Sequence, residues 1–196
     1  MFNMKNLMTR ALLALALTFS TGAVLAGPTY HVAIDTAEFA GTQGYLDLSL
    51  VALGDAAPAF ATLSNFTGSF GSTTMLEGYA FGGVETGVTL GNSSLVNAFT
   101  QLVNFGGRFG FDVSFDLDDG AVGSAFGVAL FNEAFDAYLG AQGNIVDISL
   151  QPGETPSVLV NSDLAAVGEV PEPSNWMLMA SGLMLLGSAL QRRRSN

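Results

Sequence analysis

The chain has 196 residues, 49% of them hydrophobic, with 17 acidic side chains against six basic ones, one histidine and no cysteine. That inventory excludes a disulfide framework and a Cys/His nucleophile, and the apolar content with 15 phenylalanines argues against intrinsic disorder. A formal charge of −11 disfavours nucleic acid, whose phosphates it would repel.

Lys5 and Arg10 form a positively charged n-region, Ala11 to Phe19 an apolar h-region, and Val24-Leu25-Ala26 an A-x-A-like site before Gly27. This predicts a secretory signal peptide over residues 1–26, cleaved between Ala26 and Gly27. Its apolar core is too short to span a bilayer. Sixteen of the 17 acidic residues, but only Arg108 among the basic ones, lie between residues 27 and 170, so that stretch carries −15. Such a field disfavours anionic membranes, leaves divalent cations, basic surfaces and neutral glycans open as partners, and also serves solubility outside the cell. The roughly 144 residues suit one domain.

Along this stretch apolar residues recur with the period of strands. Tyr30 to Thr36 is the first candidate, and Leu46, Leu48 and Leu50 alternate with Asp47 and Ser49 in the second. Ser93 to Leu102 is one of two stretches where helix competes with loop. The most sustained alternation follows, with Phe109, Phe111, Val113, Phe115 and Leu117 interleaved with Gly110, Asp112, Ser114 and Asp116. Asp119-Gly120 reads as a hairpin turn into the next strand, marked by Phe126, Val128 and Leu130. Glu133 to Leu139 is the second competing helix, because its residues include reasonable helix formers. Ile145 to Leu150, a loop from Gln151 to Pro156, and Val158 to Val160 close the domain at residue 161, leaving 162–170 as a tether. Twenty-one of the 24 glycines fall between Gly27 and Gly168, as many tight turns require. The expected fold is all-β, an antiparallel β-sandwich or jelly-roll-like single domain over 27–161. Asn65-Phe66-Thr67-Gly68-Ser69-Phe70-Gly71 and Asn104-Phe105-Gly106-Gly107-Arg108-Phe109-Gly110 echo one another at five of seven positions, which equivalent turns would produce.

Asp116, Asp118 and Asp119 before Gly120 bring carboxylates to alternate positions near a bend, a pattern able to converge oxygen ligands on calcium, with Asp112 or Asp147 as helpers. The spacing is not that of an EF-hand, and a solvated hairpin tip accounts for the same residues. His31 is the sole candidate for a Ser-His-Asp triad and reads better as an ordinary strand histidine. A secreted glycoside hydrolase built on paired carboxylates is open on composition alone, since abundance makes such pairs inevitable. For glycan stacking the domain offers Tyr30, Tyr45, Tyr79 and Tyr138, the phenylalanines being read as core.

The last 26 residues differ in kind. Pro171-Glu172-Pro173 precedes an apolar run from Trp176 to Leu190, about 22 Å as a helix against a hydrocarbon core of about 30 Å, and Arg192, Arg193 and Arg194 follow. The arginines mark a cytoplasmic stop signal, placing Pro171 and everything before it outside. The order Val170-Pro171-Glu172-Pro173-Ser174, apolar run and arginine cluster resembles the PEP-CTERM sorting signal of Gram-negative bacteria. That resemblance implies that an exosortase, an inner-membrane transpeptidase, recognises residues 171–196 and cleaves near the Pro-Glu-Pro. The exosortase would supply the catalytic residues. Tyr30 to Thr36, Gly41, Gly44, Leu46-Asp47-Leu48 and Phe111-Asp112-Val113 are also similar to a short uncharacterised group of PEP-CTERM proteins, which implies length and layout only. Together these features describe a non-enzymatic protein exported to the cell surface or extracellular matrix, with a role in exopolysaccharide or biofilm; a calcium- or carbohydrate-binding module is the alternative.

Overall fold

In the computed structural model, which describes residues 27–171, strands account for most of those residues. They are β1 (Thr29–Asp35), β2 (Gln43–Ala52), β3 (Ala59–Thr67), β4 (Phe70–Glu77), β5 (Ala80–Gly83), β6 (Gly87–Gly91) and β7 (Ala98–Asn104). After them come β8 (Arg108–Leu117), β9 (Ser124–Asn132), β10 (Tyr138–Leu139), β11 (Val146–Leu150), β12 (Ser157–Val160) and β13 (Ala165–Val170). A 3-10 turn at Ala37–Phe39 is the only helical segment among the described residues. The expected signal peptide and the apolar run 176–190 lie outside the described residues.

Period-two patterning sets the inward faces. β8 buries Phe109, Phe111, Val113 and Phe115 and turns Asp112, Ser114 and Asp116 away, while β2 buries Leu46, Leu48 and Leu50. One antiparallel sheet runs β13-β1-β8-β3-β6-β5 and the other β12-β11-β9-β2-β7-β4, with β10 added to β9. The sheets enclose one core in which Phe99, Phe111 and Phe126 are the largest fully buried side chains. The expected all-β, sandwich-like architecture is the one observed.

Several local expectations are corrected. Asp119-Gly120 is not a hairpin, because β8 and β9 belong to different sheets and the turn crosses between them. Gly120 serves close approach instead: a Cβ there would lie 2.5 Å from the Cβ of Ala57. Ser93–Leu102 is loop followed by β7, whose residues pair with β2 on one side and β4 on the other. Glu133–Leu139 is a turn leading into β10, since the Asn132 side-chain oxygen takes the N–H groups of Asp136 and Ala137 that a helix would need. The tether expected over 162–170 holds β13, paired with β1 from Ile34 opposite Ala165 to Thr29 opposite Val170. This occupies the outer hydrogen-bonding groups of β1, and Ala165 and Val167 add apolar contact with the core.

The echoed segments occupy neighbouring crossovers, β3 to β4 and β7 to β8. Gly68 and Gly106 take φ of +141° and +114° there. The Asn104 N–H donates to the Ser69 carbonyl at 2.9 Å, and the Phe70 and Phe109 rings meet at 5.7 Å. The two corners thus pack on each other through the aligned rings of Phe70 and Phe109, although the positive-φ glycine falls at the fourth position of one segment and the third of the other.

Candidate functional site

The outer face of the β12-to-β4 sheet carries a cleft of ≈ 690 Å³. Register explains its shape. Asp47 on β2 sits between Thr100 on β7 and Ala129 on β9, and the next row places Ser49 between Ala98 and Gly127. Small side chains therefore form the floor. Met75 and Glu77 of β4 rise on one side, and Phe131, Phe135 and Tyr138 on the other.

The aromatic wall is built across strands. Phe131 lies opposite both Tyr45 and Tyr138, so three rings share one row of the sheet. Phe131 stacks on Phe135 at 4.3 Å and meets Tyr138 at 4.5 Å, while Tyr45 meets Phe135 edge-on at 5.3 Å. Tyr138 and Phe135 nevertheless remain 49% and 43% exposed. Phe135 also has φ +58°, a left-handed conformation that a bulky residue adopts at a cost of about 1–3 kcal/mol. The Asn132 amide braces that turn, accepting from Asp136 and Ala137 and donating to the Asp136 carboxylate at 2.7 Å. The loop holds an apolar ring in the open against both steric preference and the hydrophobic effect.

Polar groups converge from the other directions. Asn144 donates to Asp147 Oδ1 at 2.7 Å, and Asn161 donates to Asp147 Oδ2 at 2.7 Å. Asn144 reaches the floor because residue 127 is glycine; a Cβ there would lie 2.4 Å from its Nδ2. Asp47 accepts from the hydroxyl of Thr100, itself only 6% exposed. Burial pushes the Asp47 carboxyl above the ordinary carboxylate range; the Thr100 hydrogen bond opposes the shift and the charge of Glu77 adds to it. A folded pKa above the unfolded one contributes stability that is complete below the unfolded value and lost as pH rises through the folded value. Asp47→Asn keeps an acceptor for Thr100 without the charge. It is expected to melt about 2–4 °C above the wild type near pH 7 by circular dichroism, the gap closing toward pH ~3.

The calcium candidates do not gather. Asp116, Asp118 and Asp119 are exposed where β8 leaves its sheet, with the Asp118 N–H donating to the Pro58 carbonyl at 3.0 Å. Asp147 belongs to the opposite sheet, and both oxygens of Asp112 are engaged elsewhere. Among the described residues no three His, Cys, Asp or Glu side chains form a metal-holding group. His31 pairs through Nδ1 with Asp112 Oδ1 at 2.6 Å across β1 and β8, and Asn65 donates to Asp112 Oδ2 at 2.7 Å. Burial raises the Asp112 carboxyl, but the hydrogen bonds from Asn65 and His31 and the charge of His31 outweigh it and leave it lowered.

Of the tyrosines, Tyr30 is buried against Phe115, Tyr79 packs with Phe60 and Phe81 on the other sheet's margin, Tyr45 supports Phe135 edge-on, and Tyr138 lines the cleft. Reading all thirteen domain phenylalanines as core is corrected: Phe60, Phe81 and Phe135 are exposed. Asp47, Asn144, Phe131 and Phe135 were not singled out from the sequence, and only the outward parity of Asp47 in β2 signalled any of them. Gly27 opens the described residues and Pro171 closes them, exposed directly after β13. Ala26, Glu172, Pro173 and Arg192 to Arg194 lie outside the described residues. No family model, curated protein or solved structure matches the chain.

Proposed function

We propose that the chain is an exported protein of the cell surface or extracellular matrix of a Gram-negative bacterium, sorted and cleaved by an exosortase, with a non-enzymatic interaction role in exopolysaccharide or biofilm. The observation that carries this reading is the sequence of the tail: Pro171-Glu172-Pro173, the apolar run from Trp176 to Leu190, then Arg192 to Arg194. The secretory pattern before Gly27 and the −15 of residues 27–170 agree with life outside the cytoplasm. With one histidine and no cysteine the chain has no Cys/His nucleophile, and the reading takes the domain as one that binds.

We read the fold more finely as a jelly roll. The support is nested pairing: β1 pairs β8, β2 pairs β7 and β3 pairs β6, the pattern of one long antiparallel ribbon wound over two sheets. β9, β11, β12 and β13 extend its edges.

The test is intact-mass analysis of envelope-associated protein from hosts with and without the exosortase. The expected product in the first host begins at Gly27 and has lost Arg192 to Arg194 through cleavage near Pro171–Pro173. A mature chain ending in unmodified Asn196 in both hosts overturns the reading.

A further inference from the structure

We infer that the cleft on the outer face of the β12-to-β4 sheet binds a neutral glycan chain, with separate sugar rings against Tyr138 and Phe135, each of which has one face against Phe131, and its hydroxyls bonded to groups on the floor. The inference names a partner for the surface protein proposed above and rests on that reading only for the glycan's source.

Three independent features converge on this ligand class. The first is the braced turn, which holds Phe135 at φ +58° against Phe131 while leaving it 43% exposed. An aromatic ring kept outside the core in a disfavoured conformation is a prepared stacking platform. The second is the floor, where Asp47, Ser49, Thr100 and Asn144 alternate with the small residues Ala98, Gly127 and Ala129. A hydrocarbon ligand would strip water from these groups without replacing its hydrogen bonds, whereas a sugar offers a C–H face to the rings and hydroxyls to the polar atoms. The third is electrostatic. The −15 domain opposes an acidic polysaccharide. Both oxygens of Asp147 already accept amide hydrogens, and Asp47 accepts from Thr100, so these carboxylates are fixed as parts of a hydrogen-bonding lattice beside the cleft. Glu77 at the rim has no hydrogen-bond partner among the described residues and can accept from a further hydroxyl.

The cleft is open along the sheet rather than closed over, which suits a chain passing across it. Sites of this kind hold single sugars weakly and gain from several in series.

The experiment uses the whole chain recovered from its host envelope. It is titrated calorimetrically with cellohexaose, xylohexaose, mannohexaose and the neutral fraction of the host's matrix polysaccharide, with polygalacturonate and polylysine as charged comparators. At least one neutral probe is expected to bind at micromolar to millimolar concentration with little dependence on salt. Tyr138→Ala and Phe135→Ala should each weaken it by about tenfold, Tyr138→Trp should restore it, and Asn144→Ala should weaken it severalfold. Tyr138→Ala alters an exposed ring, and its melting temperature should match the wild type, separating loss of binding from loss of fold. Failure of every neutral probe at millimolar concentration overturns the inference. So does binding indifferent to Tyr138→Ala and Phe135→Ala, or binding confined to polylysine and abolished by salt. A processed tail with no glycan binding would remove this inference alone; glycan binding by a chain that is never processed would remove the sorting reading alone.

Discussion

Asn97→Ala is expected to destabilise the domain by about 3 kcal/mol, lowering the melting temperature by roughly 10 °C. The side chain is fully buried and makes four hydrogen bonds. Its Nδ2 donates to the carbonyls of Leu50 and Ser94 at 2.9 and 2.8 Å, and its Oδ1 accepts from the N–H groups of Tyr79 and Ser94 at 2.9 and 3.2 Å. One amide thereby satisfies the end of β2, the loop before β7 and the turn between β4 and β5. Alanine leaves all four backbone groups seeking partners in a space that a methyl only partly fills. Gly78 belongs to the same joint, for it takes φ +63° and a Cβ there would lie 2.2 Å from the Val96 carbonyl and 2.7 Å from Asn97 Oδ1. Asn97→Asp keeps the acceptor but turns carboxylate oxygen toward two carbonyls, so it should be no better near neutral pH and should recover partially on acidification. Thermal melts of both variants across pH check this; an Asn97→Ala melt within a degree or two of the wild type would refute the assignment of this amide as the joint's fastener.

Phe111→Ala should be the most damaging truncation in the core, at about 3–5 kcal/mol. Phe111 is fully buried at the middle of β8, between β1 and β3, and its ring stacks on Phe66 at 5.6 Å with an interplanar angle of 28°. Removing it empties the space between the sheets where neighbouring strands are least able to collapse. Set against a typical domain stability of about 5–15 kcal/mol, that loss leaves little reserve. Urea titration should show a lower midpoint at unchanged slope, whereas Phe81→Ala, on a ring 57% exposed at a sheet margin, should move the midpoint little. Equal shifts for the two variants would contradict the core assignment.

How far such features were legible in the sequence depended on whether a strand has one wet face. β2 and β8 do, and Leu46-Asp47-Leu48 and Phe111-Asp112-Val113 display it openly. β7 does not: Ala98 to Gln101 are all buried, with Gln101 turned inward to donate to the Gly71 and Thr73 carbonyls at the irregular pairing of β4, so alternation is erased. β4 fails for the opposite reason, being mostly exposed and out of register between Phe70 and Thr74. The false hairpin at Asp119-Gly120 arose because local turn chemistry cannot reveal that consecutive strands change sheet. The cleft was hidden similarly. Tyr45 and Tyr138 could be suspected from residue type, but Asp47, Phe131, Phe135 and Asn144 come together only through long-range register. Phe135 in particular has the composition of a core residue and is exposed because Asn132 holds its turn.

The pairing of Thr29 with Val170 brings both ends of the domain to one corner of the molecule, on two antiparallel strands. A pull applied between residues 28 and 171 would therefore open the bonds of β13 to β1 one after another from Val170 toward Ala165, whereas a pull on residue 171 against the far side of the domain would load them together. β13 is six residues long and lies at the margin, while β8 and the ring of Phe111 lie beyond β1. Pulled apart at its two ends, the domain would therefore give way first at this marginal strand, while the body stayed closed.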